Sequence, residues 1–281
     1  MIVVRPNNVT KNIKRPQFKL FGMIVLLGLI IILTLVAPLI APYDPTEVQL
    51  TERLKPMSSE NLLGTDHMGR DILSRILVGA QTTVGTSILV IVLALSIGLP
   101  VGLISGYIGG ALDRFFMRIV DALLAFPDFI IAIVLSGLLG PGMFNLVLAL
   151  VVVKWVSYAR LVRSTVISEN QKEYIAVAKI NGLSSIKILS KHMIPHVVGN
   201  LVVYASLDLG KVILVIASLS YIGLGAQPPT PEWGAMLNEG RNFFHNAPQL
   251  MYIPGIAIML VVLILNLLGD LLRDRLDVKN K

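Results

Sequence analysis

Six apolar runs divide the chain: Leu20 to Ala41, Thr83 to Tyr107, Phe115 to Leu139, Met143 to Val162, Gly199 to Gly223 and Leu250 to Leu272. Each reaches the length of about 20 residues that a helix needs to cross a bilayer. None shows the strict alternation of a barrel strand, and hydrocarbon offers no partners to free backbone groups, so the runs predict helices. The pattern therefore predicts an all-α integral membrane protein with a six-helix domain over residues 20–272, a tail over 1–19 and another over 273–281.

Three polar stretches are too long to be simple connectors. In the first, over 42–82, Leu73, Ile76, Leu77 and Ala80 recur at helical spacing, which predicts a separate amphipathic helix lying at the interface. In the second, over 223–249, GLGAQPPTPEWGAML combines prolines that remove backbone donors with glycines that permit turns, which suits a gate, a docking surface or a rigid spacer. The links at Gly109–Gly110 and Gly140–Gly142 are short, so the helices they join are antiparallel neighbours. Pro127 is expected to kink the third span.

The third polar stretch, over 163–198, is also the most basic. Ser168 to Asn181 reads as a helix, Gly182 can end it in the left-handed conformation, and Ser184 or Ser185 can cap a brief second helix that stops at Pro195, near the start of the next span. Ala176 and Ala178 are expected to leave a low surface rimmed by Lys172, Lys179, Lys187 and Lys191, suited to a groove on a partner. The alternative is a solvated basic loop.

Composition agrees with a membrane protein. Of 281 residues 54% are hydrophobic and 15% charged, and the mean hydropathy is +0.76. There are no cysteines, so disulfides and thiolate metal sites are excluded. The net charge of +7 sits beside apolar runs rather than among stacking aromatics, which argues against nucleic acid. With the N-terminus inside, seventeen Lys and Arg fall in cytosolic segments and five outside, so both termini and the 163–198 stretch are expected in the cytosol and the 42–82 and 223–249 loops outside. The first run is too long for the h-region of a cleavable signal.

No GxxxxGK[ST] loop occurs, so the chain does not cradle ATP in the P-loop manner, and no catalytic site is evident. Active transport would draw on a partner or an ion gradient. Asp121, Asp128, Lys154, Asp208 and Lys211 fall within spans, where charges face a bundle interior or an aqueous path. Asp208 and Lys154 have matching depths of roughly 13 and 12 Å from the inner edge, which permits an interhelical pair. Asp128, Lys154, Asp208 and Lys211 thus either line a translocation path or neutralise one another structurally; acids already paired with lysine suit a proton relay poorly. The four histidines are split between the two sides and form no metal site, while Trp155 and Trp233 read as packing anchors.

The order Ala176-Val177-Ala178, Gly182, Ile194-Pro195 resembles the EAA signature of ABC importer permeases, with Ala176 and Val177 standing where glutamate and alanine are usual and Glu173 about one turn earlier. LLGTDHMGRDILSR at Leu62 to Arg75, DALLAFP at Asp121 to Pro127, YARLVR at Tyr158 to Arg163 and LSYIGLGAQPPTPEWG at Leu219 to Gly234 resemble the second, C-type permease of the dipeptide, oligopeptide and nickel importers. This resemblance implies a type I importer permease fold in the plasma membrane and transport by alternating access. It implies a second permease, two ATP-binding subunits that hold ATP and Mg, an extracellular solute-binding protein, surrounding lipid, and no cofactor on this chain. The implied ATPase-coupling residues are Glu173, Ala176, Ala178, Gly182 and Pro195. Cargo stays open among peptide, nickel and metal chelate, and an ion-coupled secondary transporter is the alternative.

Overall fold

A computed structural model describes residues 34–278 together with Val25, Gly28 and Ile32. The first apolar run lies largely outside the described residues; its end forms α1 over 34–40. The other elements are α2 (Ile72–Ile108), α3 (Gly110–Leu124), α4 (Asp128–Leu139), α5 (Met143–Asn170), α6 (Glu173–Ile180), α7 (Ser185–Ile188), a π turn (Leu189–Met193), α8 (Ile194–Tyr221), α9 (Trp233–Gly240) and α10 (Gln249–Val278). Among the described residues four stretches are long and apolar enough to cross a membrane, and a fifth arises if the bent pair α3–α4 counts as one span. The protein is all-helical and multi-pass, as its sequence predicts.

Three of the predicted elements take a different form. The amphipathic helix expected near Leu73 to Ala80 is not separate: α2 runs without a break for 37 residues from Ile72. Asp71 caps it, accepting from the Ser74 amide at 2.8 Å. The run from Phe115 to Leu139 is not one span either, because α3 and α4 meet at 88° across Ala125–Pro127. Pro127 is the N-cap of α4, and its fixed φ of −57° suits a helix start better than a helix interior. At 12 residues α4 is only about 18 Å long, short of a full bilayer crossing. Third, Pro195 does not interrupt the chain: the π turn shifts the hydrogen-bond register just ahead of it, and Ser185–Tyr221 stays one continuous helical stretch of 37 residues.

The core is built on α2 and α5, which pack along each other and then against α8 through Leu146, Leu150, Tyr158, Val162, Val166 and Ile216. Close approach depends on Gly98, Gly102 and Gly106, one per turn on the α5 side of α2. A Cβ at Gly98 would lie 2.7 Å from Trp155 O, at Gly102 2.6 Å from Ala159 O and at Gly106 2.9 Å from Arg163 O. Small residues spaced by four let two membrane helices approach at backbone distance, where dispersion contacts replace the hydrophobic effect that lipid removes.

A platform formed by residues 42–71 and 223–248 closes one end of the bundle. Arg70 and Arg75, both almost fully buried, join its halves: Arg70 Nε donates to Asp66 Oδ2 at 2.6 Å, and Arg75 Nη2 donates to Glu239 Oε2 at 3.1 Å, an oxygen that Arg70 Nη2 also contacts. The PPTPEWG segment, expected to be a gate, docking surface or spacer, divides: Pro228, Pro229 and Thr230 are exposed, while Pro231 to Gly234 are buried in this platform. Glu232 is fully buried and caps α9 through the Gly234 and Ala235 amides, while Trp233 Nε1 donates to Ile76 O at 3.0 Å.

Candidate functional site

At the end of the bundle away from the platform, α6 lies across the ends of α5 and α8. Gly182 has φ of +74°, the left-handed conformation that ends a helix, and Pro195 lies in the first turn of α8, both as the sequence predicts. Ser184 occupies the cap of α7 without a side-chain cap bond. The expected low surface of Ala176 and Ala178 does not form. Residues two apart on a helix point about 200° apart, so Ala178 is buried with Ile175 while Ala176 faces out. The outward face carries apolar side chains instead: Val177 is 54% exposed, Ile180 84% and, beyond the Gly182 turn, Ile186 78%. Lys172, Lys179, Lys187 and Lys191 are exposed around it. This is an apolar patch with a basic rim.

Glu173 is exposed, but the acid built into the structure is Glu169, buried at the end of α5. It accepts from Lys172 Nζ at 2.6 Å and from Tyr174 OH at 2.5 Å. Burial, then the hydrogen bond to Glu169, pushes the Tyr174 phenol up to about 12, so it stays protonated and donating. The sequence signal for Glu169 was its place one turn before Glu173, at the helix end. Lys179 adds a second tie, donating to Asn170 Oδ1 at 2.8 Å with its ammonium over the Tyr107 ring.

Midway along the bundle is a charge node. Lys154 on α5 donates to Asp208 Oδ1 on α8 at 3.1 Å and to Asp128 Oδ2 at the start of α4 at 3.3 Å. Tyr158 OH donates to the other Asp208 oxygen at 3.1 Å. The structure thus brings together three of the four predicted residues; Lys211 is exposed and does not join them. Asp121 pairs instead with Arg160 at 2.5 Å, near a bidentate Arg163–Asp113 pair at 2.5 and 2.7 Å that pins α3 to α5.

An apolar groove of about 840 Å³ lies between α8 and α10, with Phe129 of α4 also in its lining. On the platform, Asp66, His67 and Glu239 bring ligand-type atoms within 4.8 Å of one another. Arg70 and Arg75 already hold an oxygen of each of the two carboxylates, so the group is charge-compensated without a metal.

Comparison with known proteins assigns these features to one family. Residues 98–280 match the family described as "Binding-protein-dependent transport system inner membrane component", and residues 13–56 match "N-terminal TM domain of oligopeptide transport permease C". The nickel transport system permease protein NikC of Escherichia coli (strain K12) is 37% identical over 254 residues, covering 90% of this chain and 92% of that protein. The dipeptide transport system permease protein DppC of Alkalihalophilus pseudofirmus is 40% identical over 271 residues, covering 96% and 89%. DppC of Haemophilus influenzae is 39% identical over 274 residues, covering 95% and 92%. Among solved structures, the inward-facing MetNI methionine ABC transporter aligns with a TM-score of 0.56 at 20% identity, covering 71% of this chain and 95% of that one, a likeness of fold.

Proposed function

We propose, from the premise that this chain belongs to the family of binding-protein-dependent transport system inner membrane components, that it is the second permease of an importer whose cargo is a short peptide or nickel, the cargoes named for its relatives. A permease of this family is a transport subunit, and ATP hydrolysis takes place on separate subunits. The observation that carries the reading is the apolar patch of Val177 and Ile180 on α6 and Ile186 beyond the Gly182 turn, the last on the stretch Ser185–Tyr221 that continues unbroken into α8.

In this reading the patch faces the cytosol and seats in a groove of an ATP-binding subunit. The basic rim steers docking, and burial of Val177 or Ile180 contributes about 1.5–3 kcal/mol each. Val177 and Ile180 dock; of the residues expected to couple, Ala178 packs α6 onto the bundle and Gly182 sets the turn. Pro195 starts α8, and Glu169, rather than Glu173, fixes the angle of α6. Because α8 is continuous with the Ile186 end of the patch, a displacement there moves Asp208 and the α8 wall of the groove together. ATP and Mg sit on the partner subunits, a related second permease completes the path, the platform faces the solute-binding protein outside, and both termini are cytosolic.

Reconstitution tests the energy source. The purified importer in proteoliposomes should take up cargo only with ATP inside the ATPase compartment and should continue when ionophores collapse ion gradients. Uptake driven by an ion gradient in the absence of the ATP-binding subunits would sink this reading and restore the ion-coupled alternative.

A further inference from the structure

The charges of α3 do not balance. Asp113 accepts from Nε and Nη2 of Arg163 on α5, and Asp121 accepts from Arg160 Nη2 of the same helix. Both acids are thus committed. Arg114 and Arg118 are exposed, and among the described residues neither forms an ion pair. Four residues apart, they are neighbours on the helix surface and present two guanidinium groups to one place.

Beside them α3 is apolar. Leu112, Phe115 and Ile119 recur at helical spacing and are all exposed, Phe115 by 60%. Phe116 meets the Phe115 ring edge-on, with centroids 5.5 Å apart. Arg118 follows Phe115 by three residues, so its side chain and the ring are adjacent on the helix surface. A different face of α3 packs on the bundle, where Val120 is buried with Val156 and Ala159 of α5.

The arginines also stand at a defined depth. Arg163, the partner of Asp113, directly follows Val162, where the apolar run of α5 ends, and Tyr107 at the end of α2 lies beneath the Lys179 ammonium of α6. The start of α3 is therefore at the boundary between hydrocarbon and headgroups on the α6 side of the membrane. Water there would leave Leu112, Phe115 and Ile119 uncovered, and a purely apolar neighbour would desolvate two unpaired guanidinium groups. An anionic phospholipid meets both demands: its phosphate oxygens match the planar fork of guanidinium donors, and its acyl chains cover the apolar side.

We propose that α3 holds an anionic phospholipid in the leaflet beside α6, with the headgroup phosphate on Arg114 and Arg118 and an acyl chain against Phe115 and Ile119. The site goes beyond the importer reading and does not depend on which cargo is carried.

The chain has no cysteine, so Ile119→Cys gives this subunit a unique thiol on that face. It is labelled with bimane in the complete importer, assembled with cysteine-free partner subunits in phosphatidylcholine vesicles. Doxyl-labelled phosphatidylglycerol should quench the bimane at a mole fraction lower by about fivefold or more than doxyl-labelled phosphatidylcholine requires. Arg114→Gln with Arg118→Gln should abolish the difference, and Arg114→Lys with Arg118→Lys should retain part of it. Inorganic phosphate at constant ionic strength should leave the preference in place. A bimane at Val92→Cys, exposed on α2, should not distinguish the two lipids. Should Ile119→Cys fail to assemble, Leu112→Cys carries the probe on the same face. Equal quenching by the two lipids, a preference that survives the double glutamine variant, the same preference at Val92→Cys, or its loss to inorganic phosphate would each overturn the proposal. So would the absence of quenching by either lipid, which would show that protein covers this face of α3.

Discussion

Lys154 and Asp208 form an ion pair at 3.1 Å between α5 and α8, with side chains 8% and 4% exposed. Removing one partner of such a pair leaves a buried, uncompensated charge. Lys154→Met should therefore destabilise the protein by about 3–5 kcal/mol, and Lys154→Met with Asp208→Leu should recover much of that loss. Asp128→Asn, at a half-exposed position, should cost less than 1 kcal/mol or so. Thermal unfolding in detergent, followed by loss of the monodisperse species, reads all three. Equal stability of the single Lys154 variant and the double variant would refute the assignment.

Gly182 tests the turn after α6 without a steric complication. A Cβ there would meet nothing within 4 Å, yet φ is +74°. The cost of substitution is therefore in the backbone: about 1–2 kcal/mol for a valine, and much less for asparagine, which tolerates the left-handed region. Gly182→Val should lower cargo moved per ATP hydrolysed while Gly182→Asn keeps it near wild type. If the two variants behave alike, turn geometry is not what matters.

Val177 and Ile180 should act through burial in a partner. Val177→Asp or Ile180→Asp is expected to reduce retention of the ATP-binding subunits on the purified permease by about tenfold or more, given about 1.5–3 kcal/mol of lost burial plus a desolvated charge. Ala176→Glu, on the same exposed side but a smaller contact, should be milder. Co-purification stoichiometry decides, and full retention in both aspartate variants would move the docking face elsewhere.

How much of this was legible in the sequence varied with the physics of each feature. Apolar length located the spans, and matching depth anticipated the Lys154–Asp208 pair, because both depend on one-dimensional distance. Direction is not one-dimensional: hydropathy read Phe115 to Leu139 as one run although α3 and α4 meet at 88°. The polar stripe of Asp113, Arg114, Arg118 and Asp121 was the available signal that α3 is amphipathic. Likewise the Gly98, Gly102, Gly106 spacing was present but unread, and Ala176 was paired with Ala178 although helical geometry separates them. Resemblance named the coupling segment, while which of its side chains face outward required the neighbouring helices.

The glycine stripe yields a stability prediction. Gly102→Val would place its Cβ 2.6 Å from both Ala159 O and Val162 Cβ, backbone and branched side chain that do not give way. Overpacking at this α2–α5 contact should cost about 1–3 kcal/mol, seen as lower yield and a lower melting temperature. Gly85→Val, at a site with no neighbour within 4 Å, is the control and should be near neutral, since valine is no poorer a helix former than glycine. Similar losses at the two sites would mean that close approach is not the determinant.

Acidification should loosen the platform through His67. Its ring stacks on Phe243 at 5.2 Å, and burial pushes the imidazole below its ordinary value, outweighing the opposite pull of Asp66 and Glu239. The folded platform thus binds this proton more weakly than the unfolded chain does. The stability contribution is complete above the unfolded value of about 6.5, declines as pH falls below it, and is lost by the time pH passes the folded value. Melting temperature should therefore fall between about pH 7.5 and about pH 5 more steeply in the wild type than in His67→Phe, which keeps the stack and removes the titration. Parallel melting curves for the two proteins across that window would show that His67 is not the titrating group.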